Sequence, residues 1–527
     1  MNKSRTDTTL SPWTREIDQA LGHSLDSDIE CDICVVGAGI GGLTTAYLLQ
    51  KNLIIGPHNH LHKDEQAAVK KVCVVEAFAV GSGQTGRTTA QFSTALDDRY
   101  FEIEKYHGLD GARLAAESHL AAIDIAHEII RNEQIDCDSA VVDGYLFRAP
   151  DSPADVLLRE RDACHRAGLK DVRWIQKPTG DTFLKNENEV LCFPGQLQLD
   201  PLRYINGIAQ AFEASCGRIF TNSPVEKLSG GSGDTRDRDA LVMTKSGHKI
   251  RCSSIVVATN SPINDIFAIH TKQAPYRSYV IAIRVPIRSV PKALYWDTLE
   301  AYHYVRLVGE DLLVVGGEDH KTGQDHHPDG NFDLLEKWTR EKVPAALEVV
   351  YRWSGQVMES TDGLGFLGHN PLDRNNVYII TGDSGNGMTH ATIGAALIND
   401  QINGRANSWE SLYSPSRKSI RAGLEFLKEN ANVAAQYLDW LTPKASSHLE
   451  SMPDGSAALV REGVHISAVY KNEMGVISKC SAVCPHLGAI VHWNPVELTW
   501  DCPCHGSRFT ALGRVIEGPA TMDLAVL

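Results

Sequence analysis

Residues Cys31–Gly42 read CDICVVGAGIGG. The first half is a short apolar, β-branched run, the pattern of a strand buried on both faces. Gly37, Gly39 and Gly42 then form a G-x-G-x-x-G turn, with Gly41 inside it, where Leu43, Ala46 and Leu49 open a helix. In that strand-to-helix setting the first glycine makes the tight turn, the second lets backbone approach a pyrophosphate, and the third packs helix on strand. The helix N-terminus offers unpaired N–H groups to the anion. The expected fold is therefore α/β, built on a parallel sheet that holds a nucleotide cofactor.

Such a unit closes its second strand with an acidic residue about twenty positions on. Asp64 and Glu65 stand there, but HNHLHKDEQ is too polar for a central strand. Glu76, which ends VCVVE, fits better and implies an insertion around Ile54 to Ala68. The alternating His58, His60 and His62 of that insertion read as solvated side chains rather than metal ligands.

Two further glycine-rich segments separate FAD from NAD. Residues 81–90, GSGQTGRTTA, make a glycine- and hydroxyl-rich loop suited to wrapping a long cofactor. Much later the apolar run Val377 to Ile380 enters TGDSGNGMT, residues 381–389, and a helix is expected from about His390 to Ile398. A second helix N-terminus can face the flavin edge where negative charge develops on reduction. A nicotinamide enzyme has no need of it.

The other decisive stretch is Cys484-Pro485-His486 and Cys502-Pro503-Cys504-His505, with fifteen residues between the two halves. Two thiolates and two imidazoles in matched loops are the ligand set of a Rieske [2Fe–2S] centre, Cys484 and Cys502 on one iron, His486 and His505 on the other. Replacing two thiolates by neutral imidazoles raises the potential for one-electron transfer. Tetrahedral zinc also takes Cys2His2, but C-x-x-H followed by Gly-Ser is not what a finger or ribbon needs. CPHLGAIVHWNPVELTWDCPCHGSRF with GRVIEGPA resembles Rieske domains over roughly the last eighty residues. Many such domains carry a cysteine where this chain has Ala489. The resemblance thus implies that Cys504 has lost a disulfide partner and that packing alone holds the cluster loops. It also implies a Ser507 hydroxyl donating to a cluster sulfur.

With these motifs and VVATNSP, VVGGEDHKTGQ, WSGQVMESTDGLGFLG and TGDSGNGMTHATIG, residues 30 to 527 resemble the D-amino-acid oxidase and glycine oxidase superfamily of FAD-dependent oxidoreductases, in a branch with a C-terminal Rieske domain. The resemblance implies that Gly37, Gly39, Gly42 and Glu76 hold the ADP half of FAD. Arg87, Thr88 and Thr89 would follow the pyrophosphate and ribityl chain. Gly385, Asn386, Gly387, Met388 and Thr389 would border the flavin ring. Catalysis in that superfamily oxidises a C–N bond, with the protein positioning substrate and excluding water. Candidates for the substrate side are Tyr276, Arg277, Tyr304, Arg306, His320 and Trp353, with Arg277 or Arg306 able to clamp a carboxylate in a bidentate pair. Each also suits an ordinary structural contact.

The implied organisation is an N-terminal polar tail (1–29) and an oxidoreductase domain (30–425) with interleaved parts. FAD-binding parts cover about 30–97, 196–262 and 354–415, and mixed α+β substrate parts cover 98–195 and 263–353. A helix end and linker (426–447) and a small all-β Rieske domain (448–527) follow. A chain of 527 residues is long enough for such domains, each with its own core. A net charge of −15 disfavours nucleic acid and anionic membranes, and no apolar run is long enough to span a bilayer. The first thirty residues lack secretory or transit character, which points to the cytoplasm. Twelve cysteines, eight of them scattered or in strand-like runs, make no disulfide framework.

The expected activity is oxidation of a CH–NH group of an amine or amino-acid-like small molecule at FAD, with electrons leaving singly through the cluster to a one-electron acceptor protein or a quinone. One alternative is an oxygen-using amine oxidase whose cluster is structural or redox-sensing. Another is a reductase that takes hydride from NAD(P)H and feeds a partner oxygenase, though only the Gly37–Gly42 motif has the strand-to-helix setting of a nucleotide-binding unit.

Overall fold

In the computed structural model, the described residues are 9–15, 21–56, 59–65, 68–178, 180–232, 237–264, 269–325, 329–418, 423–440 and 452–527. His58 and residues 441–447 of the expected linker lie outside them.

The CDICVV stretch becomes strand Ile33–Val36, buried throughout. It lies between Val72–Val75 and Ser254–Val257 in a six-stranded sheet ordered 218–220, 72–75, 33–36, 254–257, 377–381, 366–369. All neighbours run parallel except the last pair. Strands buried on both faces need no alternation, which is why these segments read as continuous apolar runs. Helices Ile40–Gln50 and Gly387–Ile402 are in mutual contact, each opening from a glycine-rich turn at a strand end. The other face meets strands 225–229, 240–244 and 249–252 across a core that gathers Cys31, Cys34, Cys73 and Cys252 as free thiols. Four of the cysteines that look scattered in sequence are thus neighbours.

The insertion is a hairpin, Leu53–Ile55 with Leu61–Lys63, and Val72–Val75 takes the second-strand position that ends in Glu76. The second body is a nine-stranded mixed sheet built from residues 91–92, 140–147, 173–176, 189–198, 273–284, 294–296, 304–308, 312–321 and 349–360. Its last strand therefore runs on past residue 353. Helix Tyr100–Glu133 is interrupted at Gly108, whose φ is 74°. Helix Asp329–Lys342 covers the sheet strands 273–284 and 312–321.

The C-terminal part is all-β, with a three-stranded sheet (457–462, 465–471, 477–481) and a four-stranded one (492–494, 499–501, 508–510, 515–517) around Trp500, Phe509 and the cluster cysteines. Helix Gly423–Gln436 and the turn Tyr437–Trp440 reach both bodies. Glu429 pairs with Lys321 at 2.5 Å, while Val433, Tyr437 and Trp440 pack on the sandwich core. The N-terminal segment is not simply a solvated tail. Trp13 is 4% exposed and donates through Nε1 to the Thr88 carbonyl, and the Ser11 hydroxyl donates to that of Gly86.

Candidate active site and cluster site

Backbone geometry at the first turn makes room for an elongated cofactor. Gly37 has φ 105°, and a Cβ there would stand 2.4 Å from the Ala258 carbonyl oxygen. Gly42 packs beneath it, where a Cβ would meet the Gly37 oxygen at 1.9 Å. Glu76 accepts the Ala38 N–H at 2.8 Å and that of Phe78 at 3.0 Å, so the strand end and the turn are fixed together.

From this cradle a cavity of about 1050 Å³ runs between the two bodies. Gly37, Gly39, Gly41, Glu76, Arg87, Thr88, Thr89, Gly385, Asn386, Gly387 and Met388 all line it. Gly42 and Thr389 do not; the Thr389 hydroxyl accepts the Ser93 N–H at 3.3 Å. The guanidinium of Arg87 is committed to the Ser354 carbonyl at 2.8 Å and to Glu497 at 3.2 Å. The volume, the close-approach glycine and the two helix N-termini suit FAD.

The substrate-side candidates divide sharply. Tyr304 lines the cavity, its hydroxyl 2.7 Å from that of Ser278. Arg277 and Arg306, read as carboxylate clamps, are engaged elsewhere. Arg277 is 1% exposed and paired with Glu497 and Glu517 of the C-terminal sandwich. Arg306 is fully buried and donates to the carbonyls of Thr89, Ala90 and Leu199 at 2.6–3.0 Å. A guanidinium with several fixed acceptors ties backbone together rather than greeting a ligand. Trp353 donates to the Arg87 carbonyl, His320 stacks on Tyr279, and neither these nor Tyr276 line the cavity.

Asp97, Tyr302 and Asp319, none singled out from the sequence, do line it. Tyr302 donates to Asp97, and the Ser278 hydroxyl to Asp319. Burial pushes both carboxyls up to about 7. Their setting beside a cavity was the only available signal, and it exists only in three dimensions.

The four cluster candidates come together in the C-terminal sandwich. Cys484 and Cys502 are each 1% exposed, with their side chains in mutual contact. The rings of His486 and His505 lie 5.0 Å apart at 89°. Burial lowers the His505 imidazole to about 3, keeping it in the neutral form a metal ligand requires, and among the described residues its Nδ1 has no hydrogen-bond partner. Among the described residues no three His, Cys, Asp or Glu side chains converge on one ion. A two-iron centre takes two protein ligands per iron, and two thiolates with two imidazoles suit a Rieske cluster. The Ser507 hydroxyl reaches the Cys484 sulfur.

Cys504 is a free buried thiol, as the Ala489 substitution implies. Packing alone does not hold the loops, however. Tyr437 donates to the Leu487 carbonyl at 2.9 Å and Trp440 to that of Gly488 at 3.0 Å. Gln356 donates through Nε2 to the Gly506 carbonyl at 2.8 Å. The staple is replaced by hydrogen bonds from outside the sandwich.

Gln356 also joins the two sites. Its side chain holds the cluster loop, its backbone N–H donates to Gln84 of the glycine-rich loop at 2.7 Å, and it lines the cofactor cavity. Nearby, the His270 ring lies 4.9 Å from that of His486 and 5.3 Å from that of His505.

Comparison with known proteins agrees with this division. Residues 32–401 match the FAD dependent oxidoreductase family (DAO), and residues 442–527 match the Rieske [2Fe-2S] domain. The putative Rieske 2Fe-2S iron-sulfur protein YhfW of Bacillus subtilis is 30% identical over 97% of this chain and 96% of its own length. Gamma-glutamylputrescine oxidoreductase of Escherichia coli is 25% identical over 74% of this chain and 87% of its own. Glycine oxidase from Geobacillus kaustophilus shares the fold, with a TM-score of 0.57 at 17% identity over 74% of this chain and 99% of that one.

Proposed function

The chain belongs to the FAD-dependent oxidoreductase (DAO) family and carries a Rieske [2Fe-2S] domain, and from that premise we propose that it is a cytoplasmic dehydrogenase of a CH–NH substrate whose electrons leave singly through the Rieske centre. The outside acceptor is a one-electron carrier protein or a quinone. When bound, FAD supplies two-electron oxidation of the C–N bond and the cluster a one-electron outlet.

The observation that carries this reading is Gln356, a single residue that lines the cofactor cavity and holds the cluster loop. An oxidase that returns electrons to oxygen has no use for such a junction. The buried ion pair of Arg277 with Glu497 supports the same reading, because it holds the sandwich on the sheet so that no domain has to swing between electron transfers. Within the cavity, Val280, Trp296 and Met388 supply apolar wall, which orients an alkyl substrate and excludes water. The glutamylated-amine substrate in the name of the Escherichia coli relative is in keeping with a CH–NH group. Among the described residues no helix is long and apolar enough to cross a membrane.

The test is anaerobic EPR and visible spectroscopy of the purified protein before and after adding amines, amino acids and NAD(P)H. A Rieske signal that grows with a CH–NH compound supports the reading. A bleached flavin beside a silent cluster points instead to the oxidase, and bleaching by NAD(P)H alone to the reductase.

A further inference from the structure

The cavity has two electrostatically distinct ends. At the Glu76 end the lining includes Lys245, whose ammonium pairs with Asp523 of the sandwich at 3.3 Å, so a cation stands among the carboxylates there. The other end, against the Gly385 turn, is acidic. A Cβ on Gly385, whose φ is 74°, would fall 1.6 Å from a carboxylate oxygen of Asp97 and 2.9 Å from the Tyr302 hydroxyl. Asp319 and Asp383 line the same cavity, and Glu359 stands close enough to feel Asp97, Asp98, Asp319 and Asp383.

Among the described residues none of Asp97, Asp319 and Asp383 has an ion-pair partner. Their bonds come from neutral groups: Tyr302 to Asp97, Ser278 to Asp319, and the Met358 N–H to Asp383 at 3.0 Å. The arginines of the surrounding elements are spent on other contacts. Arg99 donates to the carbonyls of Leu96 and Asp297, Arg277 faces Glu497, and Arg306 holds three backbone carbonyls. Arg99 and His303 act on Asp97 and Asp319 only from a distance, and carboxylates behind apolar walls with no cation in contact are costly for a folded protein to keep. A ligand cation that enters the cavity relieves that cost, whereas a ligand carboxylate adds to it.

We infer that this end of the cavity selects a substrate bearing an alkylammonium group and no carboxylate, of the diamine or polyamine class, and that Asp97 and Asp319 are the residues that hold the ammonium. The inference rests on the CH–NH reading above and narrows it, since that reading admits amino acids equally. The Tyr302 and Ser278 hydroxyls orient the two carboxylates, and Val280, Trp296 and Val357 accommodate the alkyl chain.

The experiment uses the holoenzyme under anaerobic conditions. Putrescine, spermidine and butylamine are compared with glycine, proline and glutamate for the rate and extent of flavin bleaching. The expected result is bleaching by the diamine and polyamine, with KM raised about tenfold to a hundredfold in Asp319→Asn and in Asp97→Asn. As a readout that does not depend on turnover or on the variants folding, hexamethonium should perturb the flavin spectrum of the unmodified holoenzyme and compete with the diamine, while succinate should do neither. Bleaching by amino acids alone, or competition by succinate rather than hexamethonium, overturns the inference and leaves the CH–NH reading standing. Bleaching by neither class overturns both.

Discussion

Glu497 of the C-terminal sandwich and Arg277 of the large sheet meet at 2.7 Å with both side chains 1% exposed. Arg87 approaches the same carboxylate at 3.2 Å, Arg508 also pairs with it, and Ser354 donates at 2.6 Å. A charge this deep is tolerable only because every neighbour is complementary. The contact joins residues that belong to different domains, and it converts the Rieske part from an appendage into a wall of the cofactor cavity.

Glu497→Ala should therefore destabilise the protein by about 3–5 kcal/mol, because it strands buried guanidiniums rather than merely deleting a contact. Urea unfolding followed by circular dichroism checks this. A cost close to that of a surface ion pair would show that the two bodies are not locked together.

Stability should depend on pH through two groups with opposite signs. Burial opposes charge on Glu497, but Arg277, Arg508 and Arg87 outweigh it and hold the carboxyl well below its ordinary range. Its contribution is present above the unfolded value of about 4.3 and is lost as pH falls through the lower folded value. Burial likewise opposes charge on His303, but Asp297 and Glu318 raise it to about 9. That contribution is complete below the unfolded value of about 6.5 and disappears as pH rises through the folded one. Thermal midpoints measured across the pH range should fall at both ends. Glu497→Gln should flatten only the acid limb and His303→Gln only the alkaline one.

Cys484→Ser should leave FAD bound and reducible by substrate while abolishing turnover with a one-electron dye. Cys504→Ser, which alters a free thiol outside the ligand set, should keep the Rieske EPR signal. Dye turnover that survives Cys484→Ser would remove the cluster from the electron path.

Gln356→Ala removes the donor to the Gly506 carbonyl and should cost about 1 kcal/mol of stability. Its more informative effect is kinetic. In stopped-flow mixing with substrate, flavin bleaching should keep its rate while cluster reduction slows. Equal slowing of both would mean that Gln356 acts on the flavin site alone.

The chain's own residues determined the elements whose meaning is local. A strand, a glycine turn and a helix within CDICVVGAGIGG specify a parallel α/β sheet, because backbone sterics and side-chain burial act between near neighbours. Paired C-x-H and C-x-x-H loops specify a two-iron donor set for the same reason. The Glu76 strand end was legible across its insertion because a buried strand must be apolar wherever it falls. Only the tertiary structure decided what Arg277 and Arg306 are for. Arg277 finds its carboxylate 220 residues away, across a domain boundary, and no periodicity records such a partner. Likewise Asp97, Asp319 and Gln356 acquire their meaning from a cavity whose walls come from distant segments. Burial and field, rather than residue type, turn an ordinary aspartate into a site for a cation.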